Sequence, residues 1–236
     1  MPFAPVLHAE WIKIRTLRSL LGALAAILVA TAAFSALAAA DADGSDPLFS
    51  VFFGVSFGQI AAIAFGTTAV SSEFRGGALR LSLAAVPDRG RWFAAKATAI
   101  ALPALGVGLL TGFVTLLVGR AVLGTAAPGW TEGLRGAVGC ALHLTLMALF
   151  AAGLAAVLRS GVATLSVLIP FLLIVSFVIG DLSGSAADFL PDRAGQVALH
   201  SSWDGALGPW SGLAVTALWT AAALLAGAWS VRRRDA

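Results

Sequence analysis

The chain has 236 residues, 59% of them apolar and only 11% charged, with a mean hydropathy of +0.92. Soluble domains carry roughly a quarter of their residues as Asp, Glu, Lys and Arg, so this composition excludes a water-soluble fold and makes lipid the solvent. A net charge of +3 gives no reason to expect a nucleic-acid partner, and the single cysteine, Cys140, cannot pair within the chain.

Phe3 to Leu17 come first in chain order. Phe3, Leu7, Trp11, Ile14 and Leu17 share one side, His8 and Arg15 lie off it, and Glu10 interrupts it. Two readings stand: an interfacial helix leading into the first span, or a plain basic flank that sets orientation. Long uncharged runs then predict spans near Ser19–Ala40, Leu48–Ser71, Ala97–Val118, Leu134–Leu158, Val162–Gly180 and Pro209–Val231. Each is near the roughly 20 residues that cross a hydrocarbon core of about 30 Å. The expected fold is all-α: one polytopic membrane domain over residues 1–236, with six transmembrane helices. The first run resembles a secretory signal in its basic flank and in Ala38-Ala39-Ala40. It is too long for a signal core and five further spans follow, so it is read as a span.

Charge sets the expected orientation. One side collects 12 bases, among them both lysines, Lys13 and Lys96, against the acids Glu10, Glu73, Asp88 and Asp235. The other holds Arg120, Arg135 and Arg193 against eight acids, including Asp41, Asp43, Asp46, Asp188 and Asp204. Cytoplasmic loops carry the excess of Lys and Arg, which puts both termini inside. The preference for arginine over lysine, with abundant Ala and Gly, is the codon bias of a GC-rich bacterial genome and implies a bacterial plasma membrane. Trp130, Trp203 and Trp210 fall at one interface and Trp11, Trp92 and Trp229 at the other, as aromatic belts do.

Between spans two and three, residues Ser72 to Trp92 are neither a span nor a simple turn. Phe74, Ala78, Leu81 and Ala85 recur at helical spacing, while Glu73, Gly76, Arg80 and Leu83 face elsewhere. That pattern predicts a short amphipathic helix along the membrane, ended by Pro87 with Asp88 to Gly90 as the turn. It serves either to dock a partner or only to carry positive charge. The 28 residues from Asp181 to Gly208 mix acids and glycines with Phe189, Leu190, Val197, Leu199 and Trp203. Short helices capping the outer side and a solvated acidic loop both fit them.

Inside the spans His143 is the one deep ionisable residue, a role that hydrogen bonding to a neighbouring helix explains better than proton transfer. Gln59, Thr67 and Thr68 are expected to bond between helices too. Gly106, Gly108, Gly112, Pro103 and Pro170 permit close packing or kinks. No glycine-rich loop ending in Gly-Lys-Ser/Thr is present, so the chain cannot hydrolyse ATP itself. Ser185 has no histidine base in the last span, and no pair of His or acidic residues has metal-ligand spacing within a span. Intramembrane carboxylates of the kind proton-coupled transporters use are missing as well. A catalyst is not expected.

The stretches Ser72-Glu73-Phe74-Arg75-Gly76-Gly77, Leu83-Ala84-Ala85-Val86-Pro87-Asp88-Arg89-Gly90-Arg91 and Ala95-Lys96 resemble the type-2 permease class of ATP-binding-cassette (ABC) exporters. Glu10-Trp11-Ile12-Lys13-Ile14-Arg15, Leu158-Arg159-Ser160 and Arg232-Arg233-Arg234-Asp235-Ala236 are similar to that class too. The resemblance implies six spans, an N-terminal interfacial helix, a coupling helix between spans two and three, and a helical cap between spans five and six. It also implies assembly of two permeases, identical or homologous, with two ATPase subunits, the ATP being bound by the partner. Glu73, Phe74, Arg75, Gly77 and Arg80 would then lie on the coupling helix and touch the ATPase, with Arg159 on a second, shorter contact. Phe74 stands where tyrosine is frequent and Asp88 where a base is common. The expected function is export of a hydrophobic or amphiphilic substrate such as a drug, antibiotic or lipid, since an uncharged pathway suits these better than ions. The alternative is a non-transporting membrane scaffold or immunity protein.

Overall fold

The computed structural model describes residues 2–42, 45–172, 184–203 and 205–233. All regular structure among them is helical, as lipid demands of a single chain that must satisfy its backbone internally. The helices are α1 (Phe3–Thr16), α2 (Arg18–Ala40), α3 (Pro47–Phe52), α4 (Val55–Ser71), α5 (Ala78–Ala85), α6 (Arg89–Leu123), α7 (Trp130–Leu158), α8 (Gly161–Pro170), α9 (Pro191–Gln196) and α10 (Pro209–Arg233).

Five segments are long and apolar enough to cross a membrane: Arg18–Ala40, Pro47–Phe74, Arg89–Ala126, Trp130–Leu158 and Pro209–Arg233. They coincide with five of the six expected spans. The third begins earlier than expected, because Asp88 caps α6 by accepting the Arg91 amide N–H at 3.0 Å, and the helix then runs unbroken through Pro103. For the fifth expected span, Val162–Gly180, α8 covers the first nine residues, and 173–180 lie outside the described residues.

One helix organises the bundle. The apolar window of α7 is 67% buried and that of α2 only 28%, so α7 is the hub and α2 faces outward. Small residues bring the neighbours in. A Cβ on Gly66 of α4 would strike the carbonyl of Ala148, one on Gly108 of α6 would come within 2.9 Å of Ala141 Cα, and one on Gly153 of α7 within 2.5 Å of the Ala223 carbonyl carbon. Gly106 meets nothing within 4 Å, which separates it from Gly108 as a surface glycine.

Buried polar groups follow the expectation only in part. His143 Nε2 lies 3.0 Å from Gln59 Oε1, joining α7 to α4 as an interhelical hydrogen bond. The Thr67 hydroxyl, expected to do the same, has no partner among the described residues. Trp92 departs from the aromatic belt: it is 1% exposed and packs inside, where Trp130, Trp203, Trp210 and Trp229 are all exposed.

The two ends differ in charge. At the acidic end, short helices over Gly184–Phe189, Pro191–Gln196 and Val197–Leu199 cover the bundle, in keeping with the capping reading; Asp181 and Asp204 lie outside the described residues. Asp46 fastens this cap. Its carboxylate accepts the Phe49 amide at 3.0 Å and the Ser201 amide at 3.1 Å, and it contacts His200 Nδ1 at 2.9 Å. Burial opposes its charge, but these donors outweigh burial and hold the carboxyl below the ordinary 3.8. The basic end gathers α1, α5, the α7–α8 turn and the last turn of α10.

Candidate functional site

The chain leaves α4 through a 3-10 turn at Ser72–Phe74 and then must reverse. Gly76 and Gly77 supply the reversal with φ of 61° and 77°, a region open to glycine and costly to other residues. Helix α5 follows, eight residues long, and the non-helical Val86–Pro87 link leads into α6. The reversal resets the helical phase. Leu79 is buried and Ser82, Leu83 and Val86 are half-buried, at i, i+3, i+4 and i+7, whereas Leu81 is 75% exposed. The expected single face Phe74-Ala78-Leu81-Ala85 is thus corrected: Phe74 belongs to the preceding turn, and the two glycines break the periodicity that linked it to α5.

Beneath α5 sits a cluster of four charges. Glu73 Oε1 receives Lys96 Nζ at 2.6 Å and Lys13 Nζ at 2.8 Å. Lys13 also reaches Glu10 at 3.0 Å, and Lys96 contacts the second oxygen of Glu10. Ser82 donates to Glu73 Oε2 at 3.2 Å and accepts from Lys13 at 3.3 Å, which ties α5 into the cluster. Trp92 covers Lys96 from the side, its ring centroid 5.7 Å from Nζ. Two acids and two lysines make the cluster neutral. Glu10, Glu73 and Lys96 have side chains about 4% exposed, and Lys13 opens to solvent at 38%. Partial burial disfavours the Lys13 ammonium, but its bonds to Glu73 and the charge of Glu10 prevail and hold its pKa above 10.5.

Buried ion pairs add little net stability over apolar packing, but they are strict about geometry, because removing any one partner strands a charge. Four segments are held in register by this cluster: α1, the turn after α4, α5 and α6. It makes a platform of two amphipathic helices laid across the end of the bundle.

The six expected partner-contact residues divide accordingly. Glu73 is 3% exposed and turned inward, so its position is structural and it presents no side chain to the surface. Phe74 and Arg159 meet each other, the guanidinium 5.5 Å from the ring centroid. Arg159 ends α7 in a left-handed conformation, φ 53°. Arg75, Gly77 and Arg80 lie on the exposed outer face. The α7–α8 turn is seated there by Gly161, where a Cβ would lie 2.7 Å from the Ser71 hydroxyl. Arg89 closes the other flank, donating to the carbonyls of Val231 at 3.0 Å and Arg232 at 3.3 Å at the end of α10.

Sequence reasoning named Glu73 but missed Glu10, Lys13, Ser82 and Lys96 as its partners. Two signals pointed to them. Lys13 and Lys96 are the chain's only lysines, and Glu10 is the acid that spoils the apolar face of α1. Among the described residues, no group of three or more His, Cys, Asp or Glu is placed to hold a metal ion. The chain matches no protein-family model and no curated protein.

Proposed function

We propose that this chain is the membrane-spanning permease subunit of an ATP-driven exporter of the type-2 ABC class. It crosses the bacterial plasma membrane six times with both termini in the cytoplasm, and it pairs with a second permease and with separate ATPase subunits. It moves a hydrophobic or amphiphilic substrate outward and is not itself an enzyme. One observation carries the reading: the α1–α5 platform at the basic end, which turns Arg75 and Arg80 outward while the buried cluster under it joins α5 to α6.

In this reading the platform is the coupling element. A force applied to α5 by the ATPase passes through Ser82 and Glu73 to Lys96, hence to the first turns of α6, and through Lys13 to α1. Arg75 and Arg80 meet the ATPase, and Phe74 with Arg159 links the platform to the α7–α8 turn.

The test is co-purification with the ATPase encoded nearest to this chain, followed by ATP hydrolysis in lipid. Arg75→Glu with Arg80→Glu is expected to abolish the complex while leaving the thermal stability of the isolated permease unchanged. Glu73→Gln is expected to lower both stability and permease-dependent hydrolysis. Failure to form a complex with the wild-type chain overturns the exporter reading and favours a membrane scaffold.

A further inference from the structure

At the acidic end, on the opposite side of the bundle from the platform, a cavity of about 450 Å³ opens between the last turns of α2 and α3. Phe34, Leu37, Ala38, Asp41, Ser50 and Phe53 line it. We propose that it binds a lipophilic monocation with an aromatic body, holding the rings on Phe34 and Phe53 and the positive charge at Asp41.

Three observations converge on that ligand class. The first is a preformed aromatic floor. Phe34 stacks on Phe57 with centroids 4.0 Å apart and planes inclined by 15°, and Phe53 leans on Phe57 at 5.9 Å. Backbone contact just below holds this floor in place: the Gly54 amide donates to Ser35 Oγ at 3.0 Å, and a Cβ on Gly54 would strike the Thr31 carbonyl. Stacked rings of this kind offer flat apolar faces and a quadrupole that attracts cations.

The second is an uncommitted carboxylate. Asp41 lies at the end of α2, exposed, and makes no ion pair among the described residues. Two arginines of this end are engaged elsewhere: Arg120 lies 4.2 Å over the Trp130 ring, while Arg135 meets Glu132, the His200 carbonyl and Trp203. Asp46, the neighbouring acid, is spent on the cap. A negative charge beside apolar walls prefers a weakly hydrated cation to a hydrated metal ion.

The third is depth. Seven residues of helix separate Phe34 from Asp41, about 10 Å along the axis. The floor therefore lies among the lipid tails when Asp41 is at the headgroups. A bulky lipophilic cation that partitions into the interface meets both features at once. Anions of the same shape meet a like charge, and a strongly hydrated cation loses too much hydration to reach rings among the lipid tails.

Tetraphenylphosphonium is a suitable probe, with tetraphenylborate as the anion of the same shape. The full chain, without any ATPase, is placed in nanodiscs of zwitterionic lipid and saturable binding is measured against empty discs. The expected result is saturable binding of the cation that tetraphenylborate does not displace. Asp41→Asn is expected to weaken it about fivefold, the worth of one partly exposed charge pair. Phe34→Leu, which keeps an apolar side chain, and Phe53→Leu are each expected to weaken it about threefold or more by removing a ring. Partitioning indistinguishable from empty discs, equal binding of the borate, or affinity unchanged in Asp41→Asn and both Phe variants overturns the proposal. Because the assay contains no ATPase and no turnover, its failure leaves the exporter reading standing, and a failed ATPase complex leaves this site standing.

Discussion

Lys96→Ala and Lys13→Ala remove the same functional group from the same cluster, yet their consequences differ because the two ammonium groups differ in exposure. Lys96 has a side chain 4% exposed and touches both Glu73 and Glu10, whose own side chains are about 4% exposed. Its removal leaves two buried carboxylates facing a single, partly solvated lysine, and the expected loss is about 3–5 kcal/mol. Lys13 meets the same two acids at 3.0 and 2.8 Å but is 38% exposed, and water replaces much of what it gives; the expected loss is about 1 kcal/mol. The readout is unfolding of the purified chain in mixed micelles with increasing SDS. Lys96→Ala with Glu73→Ala is expected to cost less than the two single changes added together, by more than about 1 kcal/mol, since the double variant strands no buried pair. Replacing Glu10, Glu73 and Lys96 together by Leu, Leu and Met should return most of the stability. Equal losses for the two lysine variants, or a Lys96→Ala loss under about 1 kcal/mol, would refute the burial argument.

Gly66→Val and Gly153→Val should each destabilise by about 1–3 kcal/mol or prevent folding, since the added atoms meet backbone of α7 and α10, whereas Gly106→Ala should be neutral or slightly stabilising; thermal melts compare all three. Gly77→Ala meets no atom within 4 Å, so its whole cost is the positive φ, about 1 kcal/mol, and it should appear as faster proteolysis between Arg75 and Arg91. The Asp46 carboxyl lies below its ordinary 3.8, so the stability it lends to the cap is present above that value and is lost as pH falls through the lowered one. Hydrogen exchange at residues 47–50 and 198–201 should therefore accelerate below about pH 3.8, and Asp46→Asn should remove that pH dependence. Lys13 moves the other way: held above 10.5, it contributes below that pH and its contribution is lost as pH rises past its raised value, a change that Lys13→Met should abolish in alkaline melts.

The spans were legible from the sequence because lipid imposes a one-dimensional rule: a crossing segment must be apolar, helical and about 20 residues long, whatever it packs against. Length and hydropathy were enough to place α2, α4, α6, α7 and α10, and the arginines were enough to mark a basic and an acidic end. Pro87 marked where α5 ends, but the start of α6 at Arg89 fell inside what the sequence reads as a turn, Asp88 to Gly90, eight residues before the expected span. Which face of α5 turns inward was not legible, because two glycines at positive φ reset its phase and periodicity does not carry across such a turn. Nor was the partnership of Glu10, Lys13, Glu73 and Lys96, spread over 87 positions of sequence and read singly as a flaw in an apolar face, a topogenic base and a loop acid. Charge pairing between distant segments leaves no period in a sequence. Only the folded chain, by bringing α1 and α5 against the first turns of α6 and excluding water there, turned four ordinary ionisable residues into one buried unit.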